Sequence, residues 1–195
     1  MSRLSSSVRK REIAQAALTL LARDGVGGFT TSTLARRVGV SQAALFRHFP
    51  NLDAILDAAV TELEILLFPE DAAPDEGAPL DDLRSLLGRR AAMLRDRPGV
   101  LRILFSHELG RAGTPRTAQR VVALRRRSMA QLTSYLQRAV DDGLVREDVT
   151  VKELVSIVYG MILSLVFDVD RAVPGGFESA WVTFLRLVRN EGAGA

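Results

Sequence analysis

Apolar positions recur along this chain at intervals of three and four residues from end to end, and that period predicts helices throughout. Ile13, Ala16, Ala17, Leu20 and Leu21 form one stripe of a first helix that stops at Asp24 and Gly25, where glycine can take the left-handed conformation of a terminating residue. A second helix begins near Thr31, with Thr31 or a close neighbour as its cap, and turns Leu34, Ala35 and Val38 inward. Gly39 and Val40 make a corner. Ser41 can cap a third helix whose Leu45 and Phe49 point back inward. Pro50 and Asn51 interrupt, and a fourth helix runs from Leu52 to about Phe68.

Pro69 to Pro79 is acidic and carries three prolines and a glycine, which predicts a flexible segment between two helices. Helical periodicity resumes from Leu80 to Arg95. Pro98 can occupy the first turn of the next helix, to about Gly110, and Thr114-Pro115 opens a long helix that reaches Asp142 and is ended by Gly143. Thr150 and Glu153 have the spacing of a capping box for a helix continuing to about Arg171. Pro174, Gly175 and Gly176 break it, and a last helix runs to about Arg189. No stretch alternates as a half-buried strand does, so the expected fold class is all-α, with nine helices.

Composition narrows the classes of function. At 195 residues and 47% hydrophobic content the chain can bury a core, as one body or as a small headpiece and a larger domain. Without cysteine there is no disulfide framework, cysteine zinc site or thiol nucleophile, which fits a reducing cytoplasm. The start, MSRLSSSVRKRE, lacks the apolar run of a secretory signal. Leu154 to Phe167 is nearly apolar, but its 14 residues include Ser156, Gly160 and Ser164. It falls short of the roughly 20 needed to span a bilayer, and a buried helix is the better reading.

Charge is unevenly placed. Residues 1–52 hold eight bases (Arg3, Arg9, Lys10, Arg11, Arg23, Arg36, Arg37, Arg47) against Glu12 and Asp24, a net of +6. The remainder has 18 bases against 21 acids, a net of −3. A solvated basic surface accounts for the prevalence of arginine but not for this clustering, which suits a module that binds a polyanion. The most informative stretch is TSTLARRVGVSQAALFRHF, Thr31 to Phe49, where two helical patterns meet at Gly39 under a net positive charge. Two helices crossing steeply need a small residue where they touch and a backbone that can turn sharply, and Ala35 and Gly39 meet those needs. The spacing is that of a helix-turn-helix presenting its second helix to DNA. Gly25, Gly27 and Gly28 are no phosphate-cradling loop, because no strand precedes them.

The alanine-rich first helix, then T-x-x-x-L-A-x-x-V-G-V-S, then A-L-F-R-H-F-P and a fourth helix together resemble the TetR family of transcriptional regulators over about residues 9 to 60. The resemblance implies a DNA-binding domain at residues 1–51 and an effector-binding and dimerisation domain at 52–195. It also implies that the last two helices pair with a second subunit. The chain departs from the family where it has Phe46 for the usual tyrosine, Ala43 and Ala44 for a glycine and a hydroxyl residue, and Leu52 for a lysine. Affinity then rests more on Arg36, Arg37, Arg47, the amino-terminal bases and backbone amides at helix starts.

On that reading double-stranded DNA is the partner, and Gln42 is the candidate for a base edge because its amide can donate and accept together on adenine. Arg47 can pair with guanine or phosphate, Ala43 and Ala44 can touch a thymine methyl, and Phe46 shares their face. Thr31, Thr33 and Ser41 are candidates for phosphate, each with a helix cap or first-turn bond as the plainer alternative. His48 can reach a phosphate or pack against the fourth helix.

One recognition helix covers few base pairs, so a homodimer on a palindromic site is expected. Leu154, Ile157, Val158, Met161, Ile162, Leu165 and Val166 clothe more than one face of the eighth helix. Ser156, Gly160 and Ser164 give that helix a flat strip, and Trp181, Phe184, Leu185 and Val188 form a stripe on the ninth. An ordinary monomeric core is the alternative. If the family layout holds, a small apolar or amphipathic effector would sit among Met93, Leu101, Phe105, Met129, Leu132, Tyr135, Met161 and Phe167, with His107, Ser106 or Ser128 as polar handles. Core filling explains the same residues individually. Arg125 to Arg127 hint at an anionic ligand, although a solvated face explains them better.

The functional expectation is a ligand-responsive repressor, with no catalytic residues, cofactor or metal. His48 and His107 are the only histidines, and His107-Glu108 lacks the second histidine of a zinc-hydrolase helix. The alternative keeps the DNA binding but replaces the small ligand with a protein partner, as in family members that act in nucleoid occlusion, whose recognition segments are similarly A-A-L-x-R-H-F-P.

Overall fold

A computed structural model describes residues 6–69, 77–97, 99–105, 113–167 and 176–190, with backbone alone at 101, 102, 105 and 165–167. The helices are α1 (Ser6–Asp24), α2 (Thr31–Val38), α3 (Gln42–Phe46), α4 (Leu52–Leu67), α5 (Pro79–Asp96), α6 (Val100–Phe105), α7 (Pro115–Asp141), α8 (Val151–Phe167) and α9 (Gly176–Val188). The described residues contain no strand, and one isolated antiparallel bridge joins Val145 to Arg189. The fold is all-α, as the periodicity predicts. The expected course from Phe105 to Gly110, the extension of α8 to Arg171 and most of the proline-rich segment lie outside the described residues. No described helix is long and apolar enough to cross a membrane.

The chain forms two compact units, Met1–Ala72 with Arg97–Arg126, and Ala73–Asp96 with Arg127–Ala195. In the first, α1 packs against α4, α2 and α6, and α2 against α3. Ile13, Leu34, Leu45, Ile55, Leu56 and Leu63 are sealed in its core. The buried face of α1 is wider than the predicted stripe, since Ala14 and Leu18 are buried and Ala16 is only half-buried. Helices on two sides of α1 account for that width. Gly25 ends α1 at φ +68°, its N–H donating to the Leu21 carbonyl at 3.0 Å. The start of α6 touches the end of α1 so closely that a Cβ on Gly99 would lie 1.9 Å from the Ala22 carbonyl oxygen.

Polar groups tie the remaining elements of this unit together. Glu62, buried on α4, accepts from Gln15 Nε2 at 3.0 Å and faces Arg11 Nε at 3.4 Å. Arg120, near the start of α7, donates to the Asp57 carbonyl at 2.9 Å and to Thr61 Oγ1 at 3.0 Å, and pairs with the Asp57 carboxylate at 2.9 Å. One guanidinium thus holds two turns of α4.

In the second unit α5 packs against α8 and α9, which also pack against each other. Leu83, Leu87, Leu136, Leu154 and Val158 are fully enclosed, together with Trp181, Phe184 and Val188 from α9. Trp181 lies 5.3 Å from the Phe184 ring and 6.4 Å from that of Phe177. Thr150 and Glu153 make the predicted capping box: the Thr150 N–H donates to Glu153 Oε2 at 2.8 Å and the Glu153 N–H to Thr150 Oγ1 at 3.3 Å. The end of α9 is fastened to the α7–α8 turn by Arg146 N–H on the Val188 carbonyl and Asn190 N–H on the Leu144 carbonyl.

Candidate nucleic-acid interface

The corner between α2 and α3 is built from local bonds. Thr30, extended at φ −128°, ψ 161°, caps α2 and exchanges bonds with Thr33: the Thr33 N–H donates to Thr30 Oγ1 at 3.1 Å, and the Thr30 N–H to Thr33 Oγ1 at 3.0 Å. The cap is therefore Thr30, the close neighbour of Thr31 that the sequence reading allows. Gly39 ends α2 at φ 72°, ψ 36°, where a side chain would be strained. Its N–H reaches the Arg36 carbonyl, and the Val40 N–H reaches that of Ala35 at 2.9 Å, the paired closure of a Schellman turn. Ser41 then caps α3, its hydroxyl accepting from the Ala44 N–H at 3.2 Å. Asn51 caps α4 in the same way at 2.8 Å from the Ala54 N–H.

Leu45 anchors α3. Its side chain is fully buried, worth about 1.5–3 kcal/mol against exposure, and Phe49 is buried one turn later. Lys10 Nζ stands 5.9 Å over the Phe49 ring, bringing a cation of α1 to the edge of the same surface. With the inner side fixed, Ser41, Gln42, Ala43, Phe46 and Arg47 are exposed, as are Arg36 and Arg37 on α2; Ala44 and His48 are half-buried. Phe46 leaves 43% of its surface in water, a large apolar exposure for so short a helix.

Of the two readings offered for the hydroxyls, the capping one describes Thr33 and Ser41. Thr33 Oγ1 is taken up by the cap and by the Gly28 carbonyl at 2.9 Å, so the structure makes it a capping residue and not a free phosphate donor. Thr31 Oγ1 donates to Gln42 Oε1 at 3.1 Å, which ties the glutamine amide to α2 through its oxygen and leaves its NH2 outside that bond. Sequence reasoning missed this pair, because no local pattern links residues eleven apart.

The other candidates scatter. Leu132 and Tyr135 are core residues of the second unit; Met161 is packed against that core, and Met93 and Met129 are half-buried in the same unit. Leu101 and Phe105 belong to α6 in the first unit, and their side chains, that of Phe167 and all of His107 lie outside the described residues. On α8, Ser156, Gly160 and Ser164 are exposed, with open space where a Gly160 Cβ would point, and Ile157 beside them is 43% exposed. The α9 stripe needs correction: Trp181, Phe184 and Val188 are buried in their own unit and Leu185 packs against it, because α9 must cover α5 and α8. The outward apolar residues of α9 are Val182 and Leu187.

A further residue, unnoticed in the sequence, stands out on α5. Arg90 donates through Nη2 to Gln131 Oε1 of α7 at 3.1 Å, while its Nε is enclosed without a partner. Burial pushes its guanidinium down to about 10, with Tyr135 acting the other way and Arg89 adding to the shift. The signal was available: an arginine between Leu87 and Leu94 on the apolar stripe.

Comparisons with known proteins agree with this headpiece. The family model for bacterial regulatory proteins of the tetR family matches residues 13–59, and a tetracyclin repressor-like C-terminal domain matches residues 73–182. Nucleoid occlusion factor SlmA of Serratia proteamaculans is 31% identical over 187 residues, spanning 89% of this chain and 91% of that protein. SlmA of Vibrio vulnificus is 30% identical over 189 residues, 93% of this chain and 96% of its own. Among solved structures, the ketosteroid transcriptional regulator KstR2 of Mycobacterium tuberculosis superimposes with a TM-score of 0.74 at 16% identity, covering 94% of this chain and 96% of that one. With a matched headpiece, a matched C-terminal domain and relatives aligned over nine-tenths or more of their length, this chain belongs to the TetR family of DNA-binding regulators.

Proposed function

We propose that the chain acts as a homodimeric repressor that reads a palindromic operator through α3 and is released by a small ligand taken up in the second unit. The observation that carries the DNA half is the exposed set Gln42, Ala43, Phe46 and Arg47, held on the buried Leu45 and flanked by Arg36 and Arg37. Gln42 reads a base edge, Ala43 and Ala44 meet a thymine methyl, and Arg47, Arg36 and Arg37 neutralise phosphates, with Ser41, Thr31 and His48 at the rim. Dimerisation runs through the exposed strip Ser156, Gly160 and Ser164 of α8, with Ile157, Val182 and Leu187 as the apolar contacts. Arg90, half-buried in the second unit with its Nε–H enclosed and without an acceptor, supports the ligand half.

A second reading, DNA binding coupled to a protein partner as in nucleoid occlusion, is favoured by the name and near-complete coverage of the SlmA relatives. Selection of duplexes from a random pool tests the common part. A symmetrical consensus bound two chains at a time is expected, with affinity falling about a thousandfold between low and moderate salt if roughly six phosphates are contacted. Indifference to all duplexes at low salt overturns both readings. Sites scattered over the chromosome would favour the partner-coupled form, and sites confined to a promoter the repressor.

A further inference from the structure

The leucine stripe of α5 has one member of the wrong kind. Leu80, Leu83, Leu87 and Leu94 are buried at alternating spacings of three and four, and the position that completes the rhythm, between Leu87 and Leu94, is Arg90. Nothing about packing asks for arginine there, since leucine or methionine would continue the stripe. Among the described residues its one hydrogen-bonded side-chain partner is neutral, the Gln131 amide on α7, and its Nε–H is enclosed without an acceptor. No carboxylate pairs with it among the described residues. Arg90 as a whole is half-buried, but enclosing its Nε–H without an acceptor, on a cation that no opposite charge meets among the described residues, costs free energy. Even at about 10 the group is charged at neutral pH, so the cost is present in the free protein.

A guanidinium offers donors in a planar fork that matches carboxylate and phosphate oxygens. The surroundings on its own helix are apolar: Leu86 and Leu94 lie one turn to either side of Arg90 on α5, and Leu87 belongs to the same core as Leu132 and Tyr135. We propose that Arg90 anchors an organic anion, an acid group on an apolar body, with Gln131 orienting the fork. This rests on the ligand-responsive reading above and gives that ligand its chemical class. The exposed Arg126 and Arg127, by contrast, already have water for company.

The test uses the full chain and Arg90→Met and Arg90→Lys variants, melted alone and with octanoate, octyl phosphate, inorganic phosphate or octanol. Affinity for the selected operator duplex is measured in parallel. Without additive, Arg90→Met melts a few degrees above the parent, because an unmatched charge has been removed. Octanoate or octyl phosphate raises the melting temperature of the parent and octanol does not; whichever acts names the acid group. In Arg90→Met and Arg90→Lys the half-saturating concentration rises at least tenfold, the lysine variant keeping the charge but losing the fork. A parent that neither anion stabilises, a response to octanol equal to that to octanoate, or an Arg90→Met variant that melts lower or responds unchanged each overturns the proposal. Inorganic phosphate acting as well as octyl phosphate overturns the apolar body. Arg90-dependent stabilisation with unaltered operator affinity leaves the anion site standing and removes ligand-controlled release.

Discussion

Thr30 and Thr150 each open a helix with a capping box, but the reciprocal partner is the hydroxyl of Thr33 in the first unit and the carboxylate of Glu153 in the second. The same contrast runs through the interiors. In the first unit the buried carboxylate of Glu62 is met by Gln15 and Arg11, whereas in the second the half-buried Arg90 has, among the described residues, a single neutral acceptor. The α2–α3 corner that presents α3 is closed mainly by short-range bonds, and the first unit around it satisfies its buried charge. The second unit leaves a demand unmet inside, and an unmet demand is what a ligand can answer.

The largest effect expected from breaking this contrast is on stability. Leu45→Ala and Leu87→Ala each delete a fully buried leucine and cost about 2–5 kcal/mol. If the units differ as described, Leu45→Ala abolishes operator binding while leaving the response to octanoate, and Leu87→Ala does the reverse first. Parallel thermal melts and duplex titrations check this, and equal loss of both activities in both variants would show that the units do not act separately. A smaller change, at the surface, is Gly160→Leu, which puts a branched side chain into open space on the exposed strip of α8. The fold tolerates it, but sedimentation should show single subunits, and operator affinity should drop at least tenfold. An unchanged dimer would move the interface elsewhere.

The smallest effects separate the two caps. Thr30→Ala removes a neutral cap and costs about 1 kcal/mol at any pH. The Glu153 carboxyl, by contrast, is held below its ordinary value of 4.5, chiefly by the Thr150 hydroxyl and then by the Thr150 N–H. A depressed acid contributes fully above its unfolded value and loses that contribution as pH falls through the folded one. The start of α8 should therefore loosen only below about pH 4.5, seen as faster amide exchange at Val151 to Val155, and Glu153→Gln should remove that acid dependence.

The sequence disclosed most about the headpiece because its determinants are near neighbours. Ser41, Gly39 and Leu45 act within five residues of the bonds they make, so spacing alone located the corner and the anchored face. The box at Thr150 and Glu153 was legible for the same reason. What was not legible is long-range: Trp181 and Phe184 turn into their own unit because α5 and α8 lie beneath them, and a stripe on an isolated helix cannot say which neighbour it covers. Arg90 was legible in principle as a break in the leucine rhythm, but only Gln131, 41 residues away, shows what the break is turned toward.

The bond from Thr31 to Gln42 has a kinetic and energetic corollary for the proposed complex. A free glutamine must surrender its rotational freedom on meeting a base, a loss of up to about 2 kcal/mol. Here the amide is already parked by a hydroxyl of the preceding helix, so much of that entropy is lost during folding and not during recognition. The reading head arrives partly preset, and swivelling to suit another sequence costs the bond to Thr31, about 1 kcal/mol.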